Sequence, residues 1–130
     1  MNAFTGFDSD PKAHSIKEWP DHVLTLGGNN FNEFIKNYPL SIVDFWAPWC
    51  APCKTMAPRL RRLSKIYKGK VAFGKLDTQK YPNIAKQYKI MGIPHLIFFR
   101  NGKNVTSITG VRSVGYIKNV IEDFLEKIDK

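Results

Sequence analysis

The sequence predicts an α/β fold, a three-layer α/β/α sandwich with a mixed central sheet. Apolar runs of strand length alternate with stripes at helical spacing from His22 to Tyr88. A two-residue hairpin signal, Asn101-Gly102, separates the last two strand-length runs, and an amphipathic helix closes the chain. The alternation implies parallel strands joined by right-handed crossovers, and the hairpin adds an antiparallel edge.

His22-Val23-Leu24-Thr25-Leu26 is the first strand, stopped by Gly27-Gly28. Asn29 or Asn30 caps a helix with Phe31, Phe34 and Ile35 on one face, and Pro39 ends it. Ser41 to Trp46 is an apolar strand interrupted by one carboxylate, Asp44. A second helix runs from Cys50 to about Tyr67, with Met56, Leu60, Leu63 and Tyr67 on one stripe and Gly69 at its end. Val71 to Leu76 is the next strand, Pro82 to Tyr88 a short helix, and His95 to Phe99 a buried strand. Residues 103–109 return antiparallel. Ser113 caps a last helix whose apolar face is Ile117, Val120, Ile121, Phe124, Leu125 and Ile128. Residues 1–21 read as a polar N-terminal extension, mobile at its start, in which Trp19 tacks the segment down; residues 22–130 form the one domain.

A chain of 130 residues buries enough surface to fold without disulfides or metal. With 43% hydrophobic and 24% charged residues it is neither disordered, collagenous nor a coiled coil. No apolar run approaches the ~20 residues that span a bilayer, so no membrane association is expected. The polar N-terminal stretch lacks the apolar core of a secretory signal, which points to the cytoplasm. The net charge of +9 could draw acidic partners, anionic lipid or nucleic acid. The lysines are scattered, and the densest cluster, Arg59, Arg61, Arg62 and Lys65, suits the solvated face of one helix. No recognition motif or stacking-aromatic pattern accompanies the charge, which argues against nucleic acid.

The chemistry sits in Trp46-Ala47-Pro48-Trp49-Cys50-Ala51-Pro52-Cys53-Lys54. The chain's two cysteines stand three apart, at the start of a helix that follows a strand. That spacing lets their sulfurs close a small ring with little backbone movement. A helix N-terminus carries about half a positive charge and free N–H donors, which favour a thiolate on Cys50 over one on Cys53. Cys50 is therefore the better nucleophile and Cys53 the slower, more buried partner. Half a zinc site is the competing reading, but structural zinc takes four ligands, and His14, His22 and His95 are not at finger spacing. No metal and no cofactor beyond the dithiol is expected.

The run Val43 to Lys54 resembles the active-site segment of the thioredoxin family. Pro58 is similar to that family's helix-kinking proline, and Met91-Gly92-Ile93-Pro94 to its cis-proline loop. Phe99-Arg100-Asn101-Gly102 with Gly110 resembles its hairpin and groove glycine. The match covers about residues 22–128. It implies a thioredoxin-like fold and thiol–disulfide exchange, in which Cys50 attacks a client disulfide and Cys53 then attacks Cys50. It makes Asp44 the buried carboxylate beneath Cys53, with a raised pKa that poises it to take that thiol's proton. Lys75 becomes the lysine that moderates the shift. Trp49, Ala51, Pro52, Ile93, Pro94 and Gly110 border the client groove, and Trp46 buttresses the loop. The implied partners are disulfide-containing client proteins and a thioredoxin reductase as electron donor, with the protein a monomer.

The chain departs from the family pattern in three places. Ala51 stands where glycine is usual, restricting the backbone between the cysteines. His95 follows Pro94 where threonine is common, either placing a titratable group by the groove or simply ending a strand. Thr78 replaces an apolar groove residue, which predicts a more polar wall. The leading function is general protein disulfide reduction in thiol redox homeostasis. An oxidant or isomerase is the second reading, disfavoured because Ala51-Pro52 offers no thiolate-stabilising histidine. A redox-silent binding module is the third, disfavoured by the intact Cys50, Cys53 and Asp44 set.

Overall fold

A computed structural model describes residues 18–128. The first 17 residues, with His14 and most of the predicted extension, lie outside the described residues, as does the side chain of Ile128. The elements run β1 (Leu24–Leu26), α1 (Phe31–Asn37), β2 (Leu40–Trp46), α2 (Ala51–Ile66), β3 (Ala72–Asp77), α3 (Pro82–Gln87), β4 (His95–Arg100), β5 (Lys103–Thr109) and α4 (Val114–Ile128). The sheet order is β1-β3-β2-β4-β5. β1, β3 and β2 pair in parallel, while β4 and β5 are antiparallel additions. The predicted mixed sheet is therefore observed.

Side chains alternate across the strands, and this sorts the layers. On one face Phe45 meets Phe31 of α1 and Tyr88, which ends α3, at centroid distances of 6.3 and 6.2 Å. Phe99 joins them, 6.1 Å from Phe31 and 5.5 Å from Tyr88. On the other face Phe98 meets Phe124 of α4 at 6.3 Å. There α2 and α4 are tied by the Tyr67 hydroxyl, which donates to Glu122 at 2.6 Å. Gly74 of β3 is needed for close approach, because a Cβ there would stand 2.6 Å from Leu26 Cδ1 and 3.2 Å from a Phe34 ring carbon.

Local signals acted mostly as read. Asn101 and Gly102 both have positive φ, 48° and 88°, giving the two-residue primed turn expected of Asn-Gly. Ser113 Oγ accepts from the Tyr116 amide at 3.0 Å and caps α4. Trp19 is buried with its ring 5.1 Å from that of Tyr38, so it does fasten the segment before β1. Two expectations change. β1 begins at Leu24 rather than His22, whose ring lies against the Asp21 carboxylate at 3.3 Å. Asn30 precedes α1, but its side chain bonds backwards, accepting from Gly27 N at 2.7 Å and donating to Thr25 O at 3.2 Å. It closes the turn after β1 instead of capping the helix.

Candidate active site

β2 carries Asp44 and Trp46 towards the C-terminal end of the parallel strands, and a short turn leads to Cys50, the N-cap of α2. The Cys50 amide donates to Ala47 O at 3.2 Å. Cys50 and Cys53 are joined by a disulfide, with Cα atoms 5.2 Å apart. Cys50 Sγ accepts from the Cys53 amide at 3.2 Å, a sulfur in the place of a capping oxygen. Pro52 has no N–H to offer, so the Cys53 amide is the donor that faces Cys50 Sγ.

Burial does not separate the two cysteines as expected. Each is 4% exposed in the disulfide state. Their asymmetry lies in surroundings instead. Cys50 takes the helix-end hydrogen bond, whereas Cys53 lines a cavity of about 110 Å³ with Asp44, Trp46, Lys54, Ala57 and Lys75.

Asp44 is 5% exposed, and its Oδ1 has no hydrogen-bond partner. Burial pushes its pKa up to about 7, opposed by the positive charge of Lys75. Asp44 and Lys75 are register partners on neighbouring parallel strands. They form no ion pair; among the described residues the ion pairs are Asp21–His22 and Asp123–Lys127. Lys75 Nζ instead stands 5.5 Å from the centroid of the Trp46 ring. A second cavity, about 260 Å³, shares Asp44, Ala57 and Lys75 and extends to His22, Val23, Leu60 and Arg61.

Ile93 packs against the small cluster of Ala47, Cys50 and Cys53, together with Trp46. The Ile93–Pro94 peptide is cis, and Pro94 O accepts from the Gly110 amide at 2.8 Å. Pro94 is buried and Gly110 half-buried, while Trp49, Ala51 and Pro52 are exposed, Trp49 by 70%. The expected residues thus divide into an interior set (Asp44, Cys53, Lys75) and a rim set. His95 Nδ1 lies 2.9 Å from Thr109 Oγ1, and burial lowers its pKa. The Thr78 hydroxyl donates to Trp46 O at 3.1 Å.

Three residues were missed. Ala57 walls both cavities, and its signal was a small side chain beside the helix's buried stripe. Arg61 lines the larger cavity although it was read as part of a solvated face. Arg112 lies against Gly110, a contact that no local pattern announces. Among the described residues no cluster of His, Cys, Asp or Glu could hold a metal, and no helix is long and apolar enough to cross a membrane.

A disulfide closed across the first turn of a helix, beside a buried carboxylate, defines a dithiol oxidoreductase. The chain belongs to the thioredoxin family, whose members are disulfide oxidoreductases: the family model described as Thioredoxin matches residues 22–123. It is 40% identical over 114 residues to a chloroplastic M-type thioredoxin of Spinacia oleracea, covering 87% of this chain and 61% of that protein. The M-type protein of Pisum sativum is 40% identical over 129 residues, 96% of this chain and 75% of that one. A thioredoxin of Synechocystis is 39% identical over 97 residues, 74% and 91%. Among solved structures, a mutant thioredoxin from Halobacterium salinarum NRC-1 superposes with a TM-score of 0.78 at 25% identity, covering 85% and 96%. A chain from work on the thiol resolving mechanism in yeast mitochondrial 1-Cys peroxiredoxin superposes at 0.70 with 29% identity, covering 78% and 94%.

Proposed function

We propose that this protein is a general protein disulfide reductase that maintains cellular thiol balance. The observation that carries this reading is the Cys50–Cys53 disulfide, whose second cysteine lines the same cavity as Asp44. In the reduced protein Cys50 thiolate attacks a client disulfide, forms a mixed disulfide and releases one client thiolate. Asp44, with a pKa of about 7, takes the proton of Cys53. Cys53 thiolate then attacks Cys50 Sγ, restoring the disulfide and releasing the second client thiolate. Two electrons pass to the client. A thioredoxin reductase returns them, and no cofactor is bound.

In this reading the positive charge of Lys75 offsets part of the burial effect and keeps the Asp44 pKa lower than burial alone would. Trp49, Ala51, Pro52, Ile93, Pro94 and Gly110 form the client groove. Residues 22–130 act as one monomeric domain, and residues 1–21 are an appendage. Disulfides of peroxiredoxin type are one client class, by analogy with the yeast structural relative. A reducing compartment suits the activity, the cytoplasm on the reading of the sequence, although the spinach and pea relatives are chloroplastic.

The test is the reduction potential of the Cys50/Cys53 pair, titrated in dithiol buffers. A value near about −270 mV supports the reductase, and one between about −180 and −120 mV replaces it with an oxidant or isomerase.

A further inference from the structure

The rim beside Gly110 carries a fixed cation. A Cβ built on Gly110 would stand 3.6 Å from Arg112 Nη1, so this guanidinium lies over the open side of the glycine. Gly110 is itself bonded to Pro94 O. Arg112 is exposed, yet its position is specified from several sides. Its guanidinium lies 5.3 Å from the Tyr116 ring centroid, and Nη1 donates to Val111 O at 3.1 Å. Its amide donates to Met56 Sδ at 3.5 Å. Arg59 reaches across from α2, its Nη1 donating to Arg112 O at 2.9 Å.

Neither arginine has a carboxylate partner among the described residues, where the ion pairs are Asp21–His22 and Asp123–Lys127. Tyr116 is 49% exposed, an apolar platform beside the unneutralised Arg112 guanidinium. A planar guanidinium already held over an aromatic ring and against a backbone carbonyl loses less freedom when a carboxylate arrives, and can offer it paired N–H donors.

We propose that Arg112, supported by Arg59 and Tyr116, selects client segments that carry a carboxylate beside the attacked disulfide. This rests on the reductase reading and names its preferred substrate class. The charge complementarity is local as well as global, since the chain as a whole is +9. It also accounts for Arg59, which the sequence places in a solvated cluster and the structure bonds to the loop after Gly110.

The test uses the full oxidised chain and three peptides that differ only in the residues flanking a central serine, which are Glu, Gln or Lys. Serine in place of cysteine lets affinity be measured without chemistry. The Glu peptide should bind about fivefold tighter than the Gln peptide, the upper range for one exposed charge pair, and the Lys peptide weakest. Arg112→Gln should bring the Glu-to-Gln ratio close to one, Arg112→Lys should retain part of it, and salt near 0.5 M should shrink it. Equal affinity for the three peptides, or a ratio that Arg112→Gln leaves intact, overturns the inference. The cysteine-disulfide forms of the same peptides, given to the reduced protein, judge the reductase reading separately. If none is reduced, that reading falls while the affinity ratios still decide the role of Arg112.

Discussion

The two faces of β2 are built from adjacent residues and do opposite work. Phe45 points to the α1 and α3 side, where it closes an aromatic cluster with Phe31, Tyr88 and Phe99. Asp44, one residue earlier, points to the α2 side, where two cavities meet and its Oδ1 goes unpaired. One face is filled and apolar; the other is incompletely packed around a group that prefers to be neutral. The pleat makes this division possible, since neighbouring residues on a strand share no environment. Stability can then be concentrated on one side without fixing the proton affinity on the other.

Phe45→Ala should have the largest effect. It removes a fully buried ring and leaves a cavity, at a cost of about 3–5 kcal/mol. A domain of ordinary stability would stay folded only narrowly. Denaturant unfolding measures the loss. If the faces are independent, the pH dependence of stability due to Asp44 survives in the variant. A changed pH slope would break the comparison.

Asp44→Asn should act in the opposite direction. The folded pKa of about 7 lies above the ordinary value of 3.8, so the native state binds the extra proton between those limits. The contribution of Asp44 to stability is therefore fully present below about pH 4 and is lost as pH rises to about 7. Asparagine cannot ionise, so the variant should be more stable than the parent at pH 8 by about 2–4 kcal/mol and little changed at pH 4. On the reductase reading, its mixed disulfide should resolve more slowly near neutrality. Parallel unfolding midpoints at the two pH values check the first effect, and parallel shifts at both would refute it.

The same contrast explains what could be read from residues alone. The aromatic face was legible because its members recur at helical and strand periods, as Phe31, Phe34 and Ile35 do in α1. Asp44 stood out because an acid inside Ile42-Val43-Phe45 has no cheap burial. The hairpin was legible because Asn101-Gly102 tolerates the left-handed backbone that the turn needs. What stayed hidden depends on partners distant in sequence. The Asp44–Lys75 register needs the sheet order, and Lys75 lying near Trp46 rather than paired with Asp44 follows from the packing of β2 on β3. The equal burial of Cys50 and Cys53 reflects the loops around them, which helix position does not report. Asn30 has the right identity for a cap, but the turn at Gly27 competed for its side chain.

The α2 face also needs a fastening that its incomplete packing does not supply, and Tyr67 is the place to test this. The Tyr67 ring is buried, and its hydroxyl donates at 2.6 Å to Glu122 of α4. Burial and the nearby Glu122 carboxylate both push its pKa well above the tyrosine range. The native state therefore keeps this proton after the unfolded chain has lost its own, and stability should fall as pH rises above about 10. Tyr67→Phe keeps the ring and removes the bond, at a cost of about 1 kcal/mol near pH 7. The cost should vanish on moving into the alkaline range, because phenylalanine has no proton to lose. No difference between parent and variant from pH 7 to 11 would mean that the ring alone, and not the hydroxyl bond to Glu122, joins α2 to α4. The α2 face would then be held by apolar packing just as the aromatic face is.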